Sequence, residues 1–203
     1  MIGVVDYRAG NAPSVGYALR KLGIDHQLLD SPDAIAGCDR LILPGVGAAA
    51  ATLDSLRHAG LVEALERRVR DDGIPFLGIC IGLQVLFEHS AEGDVDGLGW
   101  IPGTVRQFPD TQRVPQIGWN SVDLRRAHPV TAGFPSGGHC YFVNSYYAVP
   151  RDPDDVLGET AYGDTFCSVV TRGNIIATQF HAEKSGPLGL RILDGFARWD
   201  GSC

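Results

Sequence analysis

Lysine is scarce in this sequence: Lys21 and Lys184 are its two lysines, against fifteen arginines among 203 residues. The formal net charge is −7, and the arginines form no dense basic run, because those at 67–70 share their segment with acidic residues. A protein that binds the nucleic-acid backbone needs a concentrated basic surface. We therefore predict no nucleic-acid partner.

Paired cysteines are also missing. The five cysteines are widely spaced and no Cys-x-x-Cys pair occurs, which argues against a zinc site and against a disulfide framework. We expect no metal and no cofactor. We expect structural roles for four of the cysteines, Cys38, Cys140, Cys167 and Cys203.

No apolar run approaches the length of a membrane span. The first seven residues become charged at Asp6, too early for the apolar region of a signal peptide. We therefore expect a cytoplasmic protein without a membrane partner. With 44% hydrophobic and 20% charged residues the composition is typical of a globular protein, and we predict one domain over residues 1–203.

Hydrophobic patterning predicts an α/β protein. Short apolar strands at 2–7, 25–30, 40–43 and 74–79 alternate with helical segments, which is typical of a parallel sheet covered by helices on both faces. The second half is predicted to add mixed and antiparallel strands and a final helix, at 100–108, 114–124, 139–149, 166–170, 175–180 and 187–199. Ligands of such sheets bind beyond the carboxyl ends of the parallel strands.

Residues 74–87 carry the strongest chemical motif. The strand at 74–79 runs into Cys80, and Leu83, Leu86 and Phe87 then recur at helical spacing, so that a helix is predicted to begin almost at once. Glycines two residues to either side of Cys80 permit a sharp turn that lifts the thiol clear of the sheet, like the serine of a hydrolase elbow. Helix-end amides favour the thiolate. The alternative, an ordinary buried cysteine, has equal weight on this segment alone.

A histidine and a carboxylate follow the strand at 175–180. His181 and Glu183 are two residues apart in an extended segment, so their side chains are predicted to face the same way. A carboxylate on one imidazole nitrogen leaves the other free to act on a thiol, giving a nucleophile, base and orienting group with Cys80. The alternative is a surface pair at a strand end.

The 44–47 turn, Pro-Gly-Val-Gly, is the third part of the predicted site. Its glycines let the backbone turn an amide toward a developing negative oxygen, so Val46 and Gly47 are predicted to form an oxyanion hole with the amide of Ile81. The turn lacks the glycine spacing and the Lys-Ser/Thr ending of a phosphate loop. The alternative is an ordinary turn at the end of a strand.

Taken together, these segments resemble the class I (triad) glutamine amidotransferases, and among them the glutaminase subunits of imidazole glycerol phosphate synthase, a histidine-biosynthesis enzyme. The resemblance spans nearly the whole chain. It rests on Asp6 and Tyr7 with Gly10 and Asn11, on 44–47, 78–82 with Gln84, 115–120, 141–146 and 179–186.

The resemblance implies a flavodoxin-like fold, with a central mostly parallel sheet flanked by helices and additional antiparallel strands in the second half. It also implies that Cys80, His181 and Glu183 hydrolyse L-glutamine and that the ammonia passes to a barrel-fold cyclase subunit in a heterodimer. Further roles are implied for two sets of residues. Substrate binding is implied for Gly45, Gly47, Gln84, Ser145 and Tyr146, and partner contact for Gln116, Trp119, Asn120 and Lys184.

Three positions depart from the family pattern: Asn144 and Gln116 replace histidines, and Ala182 replaces a proline. They leave open a paralogous subunit of another synthase. A free-standing thiol amidohydrolase or peptidase needs no partner, and a pseudoenzyme scaffold needs no triad. Trp119, Tyr146 and Tyr147, if exposed, favour a docking face over the free-standing enzyme.

Overall fold

The computed structural model describes residues 1–8 and 10–202. Ala9, in the turn predicted after the first strand, and Cys203 lie outside the described residues. The described residues form thirteen strands: β1 (Ile2–Val5), β2 (His26–Leu29), β3 (Arg40–Leu43), β4 (Phe76–Ile79), β5 (Phe87–Ser90), β6 (Val95–Asp96), β7 (Ile101–Gln107), β8 (Gln116–Leu124), β9 (Gly138–Asn144), β10 (Tyr146–Pro150), β11 (Val156–Tyr162), β12 (Asp164–Arg172) and β13 (Ile175–Thr178).

The central part of the sheet is parallel, with the order β2-β1-β3-β4-β13. This is the doubly wound order of flavodoxin-like folds, as predicted. Side chains along each strand alternate between the two faces. In β1, β3, β4 and β13 both faces are buried, which explains why these strands are apolar at almost every position, whereas the edge strand β2 is partly exposed.

Helices cover the two faces. The α-helices are α1 (Ala12–Lys21), α2 (Pro32–Ala36), α3 (Ala49–His58), α4 (Leu61–Glu66), α5 (Ile81–Gln84) and α6 (Gly186–Arg198). Apolar residues of α3 and α4 pack on the face that carries Val5 and Leu41, while those of α1 and α6 pack on the face that carries Val4 and Ile42. A π-helical turn, Arg67–Asp71, extends α4 toward β4. No helix among the described residues is long and apolar enough to cross a membrane.

Antiparallel strands extend the sheet in the second half, as predicted. β13 returns beside β12 through a two-residue turn, which confirms the expected hairpin connection. The single strand predicted at 139–149 is wrong: the chain changes neighbours at Ser145, with β9 paired to β8 and β10 paired to β7 and β12. The sequence prediction also missed β5, β6 and β11.

Three predicted site segments meet at one edge of the sheet. β3, β4 and β13 are consecutive parallel strands, with Leu43 beside Gly78 and Thr178 beside Ile79. The 44–47 turn, Cys80 and His181 come after the carboxyl ends of these strands. The strand order therefore brings together segments that are far apart in sequence.

His128 gives the fold a sensitivity to acid. It is buried under α6, and its Nδ1 accepts a hydrogen bond from the backbone amide of Val130 (3.2 Å), which requires Nδ1 to be unprotonated. Burial, together with the smaller effect of the Arg126 charge, lowers the pKa of His128 to about 4. A histidine in an unfolded chain titrates near about 6.5. The unfolded chain therefore binds a proton more readily, and stability falls as the pH drops from about 6.5 to about 4.

We expect His128→Asn to reduce this acid sensitivity, because asparagine keeps an acceptor for the Val130 amide and binds no proton in this range. The measurement is the free energy of unfolding in urea at pH 7 and at pH 4.5, for the variant and the parent. Loss of the His128 ring contact with Trp199 (5.1 Å between ring centroids) should lower the value at pH 7. An equal fall between the two pH values in both proteins would contradict the assignment.

Candidate active site

Cys80 lies on a strained turn between β4 and α5. Its backbone has φ 56° and ψ −107°, a conformation that non-glycine residues rarely adopt. A Cβ at Gly78 would lie 2.4 Å from the carbonyl oxygen of Gly82, and a Cβ at Gly82 would lie 1.9 Å from the carbonyl oxygen of Leu43. Strand and helix can therefore approach this closely only with glycine at both positions, which confirms the predicted elbow.

The helix after the elbow is shorter than predicted. α5 has four residues, and Phe87, placed in the helix by its spacing from Leu83, begins β5 instead. Phe87 pairs with Ile101 of β7, a contact that helical periodicity does not reveal. With a single turn of helix, the effect on the thiol comes mainly from the nearest free amides.

The 44–47 turn packs directly against the elbow. A Cβ at Gly45 would lie 2.0 Å from Cγ2 of Ile81 and 2.2 Å from the hydroxyl oxygen of Tyr7. Gly45 is buried and is not among the residues that line the cavity, so a substrate contact at Gly45 stays a prediction. Its role is to allow close approach of the turn and the elbow.

A cavity of about 360 Å³ opens in front of the thiol. Most of the residues predicted for catalysis, the oxyanion hole and substrate binding line it, namely Val46, Gly47, Cys80, Ile81, Gln84, Ser145, Tyr146 and His181. Further lining residues are Glu92, Pro115, Val143, Asn144 and Lys184. The structure thus collects segments from β3, β4, β9, β10 and β13 around one cavity.

His181 and Glu183 form a buried pair. Nδ1 of His181 lies 2.9 Å from Oε1 of Glu183, and the two side chains are 3% and 1% exposed. Burial alone lowers the pKa of His181, but the hydrogen bonds and charges of Cys80 and Glu183 outweigh it and raise that pKa to about 10. The raised pKa favours the imidazolium form of His181 at neutral pH.

Asn11 is a third member of this arrangement that the sequence analysis did not assign to the site. Its Nδ2 donates to the same Oε1 of Glu183 (2.9 Å), and its Oδ1 accepts from the hydroxyl of Ser14 (2.6 Å). The carboxylate is thereby fixed from the N-terminus of α1. This contact joins residues 172 positions apart, and the pairing of Gly10 and Asn11 in the family motif was its one sequence signal.

Glu92 was also missed. It follows β5, lines the cavity, and its Oε2 accepts a hydrogen bond from the amide of Ala49 at the start of α3 (2.8 Å). Burial raises the pKa of Glu92, and the Ala49 hydrogen bond opposes this shift. The carboxylate offers the cavity a partner for a cationic group.

One backbone carbonyl orients the amides on the far wall of the cavity. The carbonyl oxygen of Tyr146 accepts from Nε2 of Gln84 (3.0 Å) and from Nδ2 of Asn144 (3.0 Å). A carbonyl has two lone pairs, so both are used. Asn144, which departs from the family pattern, therefore supplies an N–H donor, and its Oδ1 is a buried acceptor without a partner among the described residues.

The remaining described cysteines are free and buried. Burial raises the pKa of all three thiols, Cys38, Cys140 and Cys167, and it raises that of Cys140 to about 12. Such thiols are poor nucleophiles. Cys80 differs from them because it lines the cavity.

The predicted partner residues divide into two groups. Trp119 is 56% exposed, next to the exposed Ile117 and Val143, and Lys184 is exposed at the cavity. Asn120 is half-buried and donates to the carbonyl oxygen of Ala161 (2.9 Å). By contrast, Gln116 is 3% exposed and pairs across the strands with Asn144, so its side chain lies beneath the surface and its predicted partner contact stays a prediction.

The two tyrosines proposed as exposed are half-buried. Tyr147 stacks on Phe108, with ring centroids 4.8 Å apart, and belongs to the aromatic core. Tyr146 packs against the core beside the cavity. Of the three aromatic candidates for a docking face, Trp119 is the exposed one.

Comparison with known proteins assigns the chain to a family. The model of the family "Glutamine amidotransferase class-I" matches residues 4–198. A relative from Dehalococcoides mccartyi, named imidazole glycerol phosphate synthase subunit HisH, is 47% identical over 197 residues, covering 97% of this chain and 96% of the relative. A relative of the same name from Chloroflexus aurantiacus is 45% identical over 204 residues, covering 98% and 96%.

Solved structures agree on the fold. A crystal structure of a glutamine amidotransferase superposes with a TM-score of 0.77 at 21% identity, covering 96% of both chains. The structure of PurLQS from Thermotoga maritima gives a TM-score of 0.71 at 18% identity, again covering 96% of both chains. With a family model that spans the cavity and all three strands behind it, the chain belongs to the class I glutamine amidotransferases.

Proposed function

We propose that this chain is the glutaminase subunit of an imidazole glycerol phosphate synthase in cytoplasmic histidine biosynthesis, with residues 1–203 as one glutaminase domain. The observation that carries the proposal is the convergence of Cys80, His181 and Glu183 beside one cavity. Relatives that share 42–47% of its residues over nearly their whole length are named as subunits of that synthase. A free-standing hydrolase has no comparable support.

Ammonia release begins from a Cys80 thiolate and a His181 imidazolium. The sulfur lone pair attacks the side-chain amide carbon of glutamine, a C–S bond forms, and the carbonyl electrons move onto oxygen. The amides of the 46–47 turn and of Ile81 stabilise this oxyanion. When the carbonyl re-forms, the C–N bond breaks and His181 gives its proton to the departing nitrogen, which leaves as ammonia.

Water then hydrolyses the glutamyl thioester. Neutral His181 takes a proton from water as its oxygen attacks the thioester carbon, and collapse of this adduct breaks the C–S bond. Glutamate leaves, and the thiolate–imidazolium pair is restored. Glu183 stabilises the imidazolium and fixes the ring through Nδ1.

The cavity also offers complementary groups to the rest of glutamine. The carboxylate of Glu92 and Oε1 of Gln84 suit the α-ammonium group, because both are acceptors at the cavity wall. Gly47, Ser145 and Tyr146 provide backbone close to the substrate. None of these groups requires a cofactor.

The partner is the cyclase subunit, and its docking surface surrounds the cavity mouth. Ile117 and Trp119 of β8 stand opposite Val143 and Tyr141 of β9, which makes an exposed apolar patch beside Lys184. Aromatic residues with an apolar surround are typical anchors of protein interfaces. Ammonia released at Cys80 therefore emerges beneath the cyclase, which uses it to form imidazole glycerol phosphate and an aminoimidazole carboxamide ribotide.

Docking of the cyclase also provides a switch for the glutaminase activity. Gly47 has φ +106°, a conformation open to glycine, so the Val46–Gly47 peptide, which carries the amide of Gly47, can rotate at small steric cost. Removing one oxyanion donor costs about 2.7–4 kcal/mol, or roughly 100-fold to 1,000-fold in rate. The partner favours the active orientation if its contacts differ between the two orientations.

The test is steady-state glutamate formation by the chain alone, by the chain with the cyclase, and by this complex with its nucleotide substrate. We expect a rate roughly 100-fold to 1,000-fold higher in the loaded complex than in the isolated chain, the factor of one oxyanion donor. Equal rates in all three conditions would contradict partner control and favour the free-standing hydrolase.

A further inference from the structure

Gln179 is a fully buried polar side chain in contact with the site. It follows β13 directly, is 0% exposed, and interrupts an apolar segment two residues before His181. A buried amide requires hydrogen-bond partners for both its donor and its acceptor ends. The hydrogen-bond partners of the Gln179 amide indicate its role in the site.

Both ends of the Gln179 amide contact the site. Its Oε1 accepts a hydrogen bond from Nε2 of Gln84 (3.0 Å), and its Nε2 donates to Sγ of Cys80 (3.7 Å, within range for the larger sulfur atom). Gln84 in turn donates to the carbonyl oxygen of Tyr146 (3.0 Å). A chain of two amides therefore connects a backbone carbonyl to the nucleophile.

The directions of these hydrogen bonds are fixed. The Tyr146 carbonyl can only accept, so Gln84 must present its NH₂ group to it, and the second hydrogen of that group reaches Gln179. Gln179 must therefore turn Oε1 toward Gln84 and Nε2 toward the sulfur. Reversing the Gln179 amide would place two NH₂ groups together and an oxygen against the thiolate. Reversing Gln84 would set three oxygens against one another.

We infer that Gln179 is a catalytic residue whose amide donates a hydrogen bond to the Cys80 thiolate and holds it for attack, with its orientation fixed through Gln84 by the carbonyl of Tyr146. A neutral donor stabilises the charged form of a group without adding a competing charge. Both hydrogen bonds of this chain use Nε2 of Gln84, which leaves Oε1 as an acceptor on a residue that lines the cavity, so one carbonyl orients both a nucleophile contact and a candidate substrate contact. This role deepens the proposed function and rests on it.

Other titratable and charged groups also act on the thiolate. They are His181, with its partner Glu183, after β13 and Tyr7 after β1, while Glu92 and Lys184 line the same cavity. A change at Gln179 leaves all of them in place. A shift in thiol reactivity on removing the Gln179 donor therefore reports that donor.

The experiment follows alkylation of Cys80 by iodoacetamide against pH, read from the mass of the peptide that contains it. It needs neither glutamine nor a partner, so it remains informative even if glutaminase activity is absent. We expect Gln179→Met, of similar volume, to move the alkylation–pH profile to higher pH. The rate at neutral pH should fall by roughly 10-fold, the typical effect of a hydrogen bond to a charged group, while the plateau at high pH is retained.

Gln179→Glu is the second variant. It keeps the shape and the acceptor for Gln84 but sets a carboxylate oxygen against the sulfur, so a larger displacement to higher pH is expected. Ser168→Ala is the matched control, because Ser168 is equally buried and makes its side-chain hydrogen bond to Thr160 (2.9 Å), and its profile should match the parent. Where glutaminase activity is present, Gln179→Met should lower kcat by a larger factor than it raises KM.

Folded Gln179→Met or Gln179→Glu protein with the parental alkylation profile would overturn the inference. If Gln179→Met does not fold, the Gln179→Glu profile decides. Displaced profiles together with no glutamine hydrolysis under any condition would instead overturn the proposed function and leave the Gln179–thiolate contact standing.

Discussion

Replacing Cys80 with alanine should abolish glutamine hydrolysis and leave the fold intact. The thiolate supplies the bonding electron pair, and no other described cysteine lines the cavity. Loss of a nucleophile costs several orders of magnitude, roughly 10⁵-fold to 10⁶-fold where the remaining machinery cannot substitute. The measurement is glutamate formation by the loaded complex.

The same variant should still support the partner when ammonia is supplied from outside. The substitution removes one sulfur atom from a residue whose backbone the elbow already holds, so the docking patch around Trp119 is unchanged. Cys140→Ala is the matched control, since Cys140 is also buried but does not line the cavity, and it should retain glutaminase activity. Full activity in Cys80→Ala would end the assignment of the nucleophile.

His181→Ala should be the second largest loss, roughly 100-fold to 10,000-fold in kcat, because it removes the acid that protonates ammonia and the base that activates water. Glu183→Gln should lower kcat by a clearly smaller factor. Glutamine keeps an oxygen that can accept from Nδ1 of His181 and from Nδ2 of Asn11, so that the ring stays oriented and the negative charge alone is lost.

Glu183→Gln should also shift the dependence of kcat on pH. The Glu183 carboxylate helps to raise the pKa of His181, so Glu183→Gln should lower that pKa and bring the alkaline loss of the imidazolium closer to neutrality. The measurement is kcat against pH for both variants and the parent. A Glu183→Gln enzyme that is less active than His181→Ala would show that the roles are wrongly assigned.

The elbow could be predicted because its cause is local. Gly78, Cys80 and Gly82 lie within five residues, and the steric need for two glycines is a property of the turn itself. The parallel half of the sheet was also predictable, since strands buried on both faces have continuous apolar segments. From those two facts the meeting of Cys80 and His181 at one sheet edge follows.

β5 could not be predicted in the same way. Leu83, Leu86 and Phe87 have helical spacing, but the chain leaves the helix after Gln84 because Phe87 pairs with Ile101. This pairing is a tertiary contact, which overrides a short periodic signal. The break at Ser145 has a similar origin, since β9 and β10 have different partners.

The polar residues that support the site could not be predicted for a related reason. Asn11, Glu92 and Gln179 act through contacts with residues far away in sequence, and no local spacing marks them. One sequence feature does mark Gln179, because it is the one amide side chain in the apolar segment 175–180. A buried polar residue in a central strand needs a partner, and that requirement points to the site.

The fate of the amide nitrogen tests the central claim most directly. The complex of this chain with the cyclase and its nucleotide substrate receives glutamine labelled with nitrogen-15 in the side-chain amide, together with an equimolar amount of unlabelled ammonium. We expect the imidazole product to be almost fully labelled, because ammonia passes from Cys80 to the partner without reaching solvent. With Cys80→Ala in place of the parent, the product should carry unlabelled nitrogen. A parental product whose label matches that of the bulk ammonia would contradict the account.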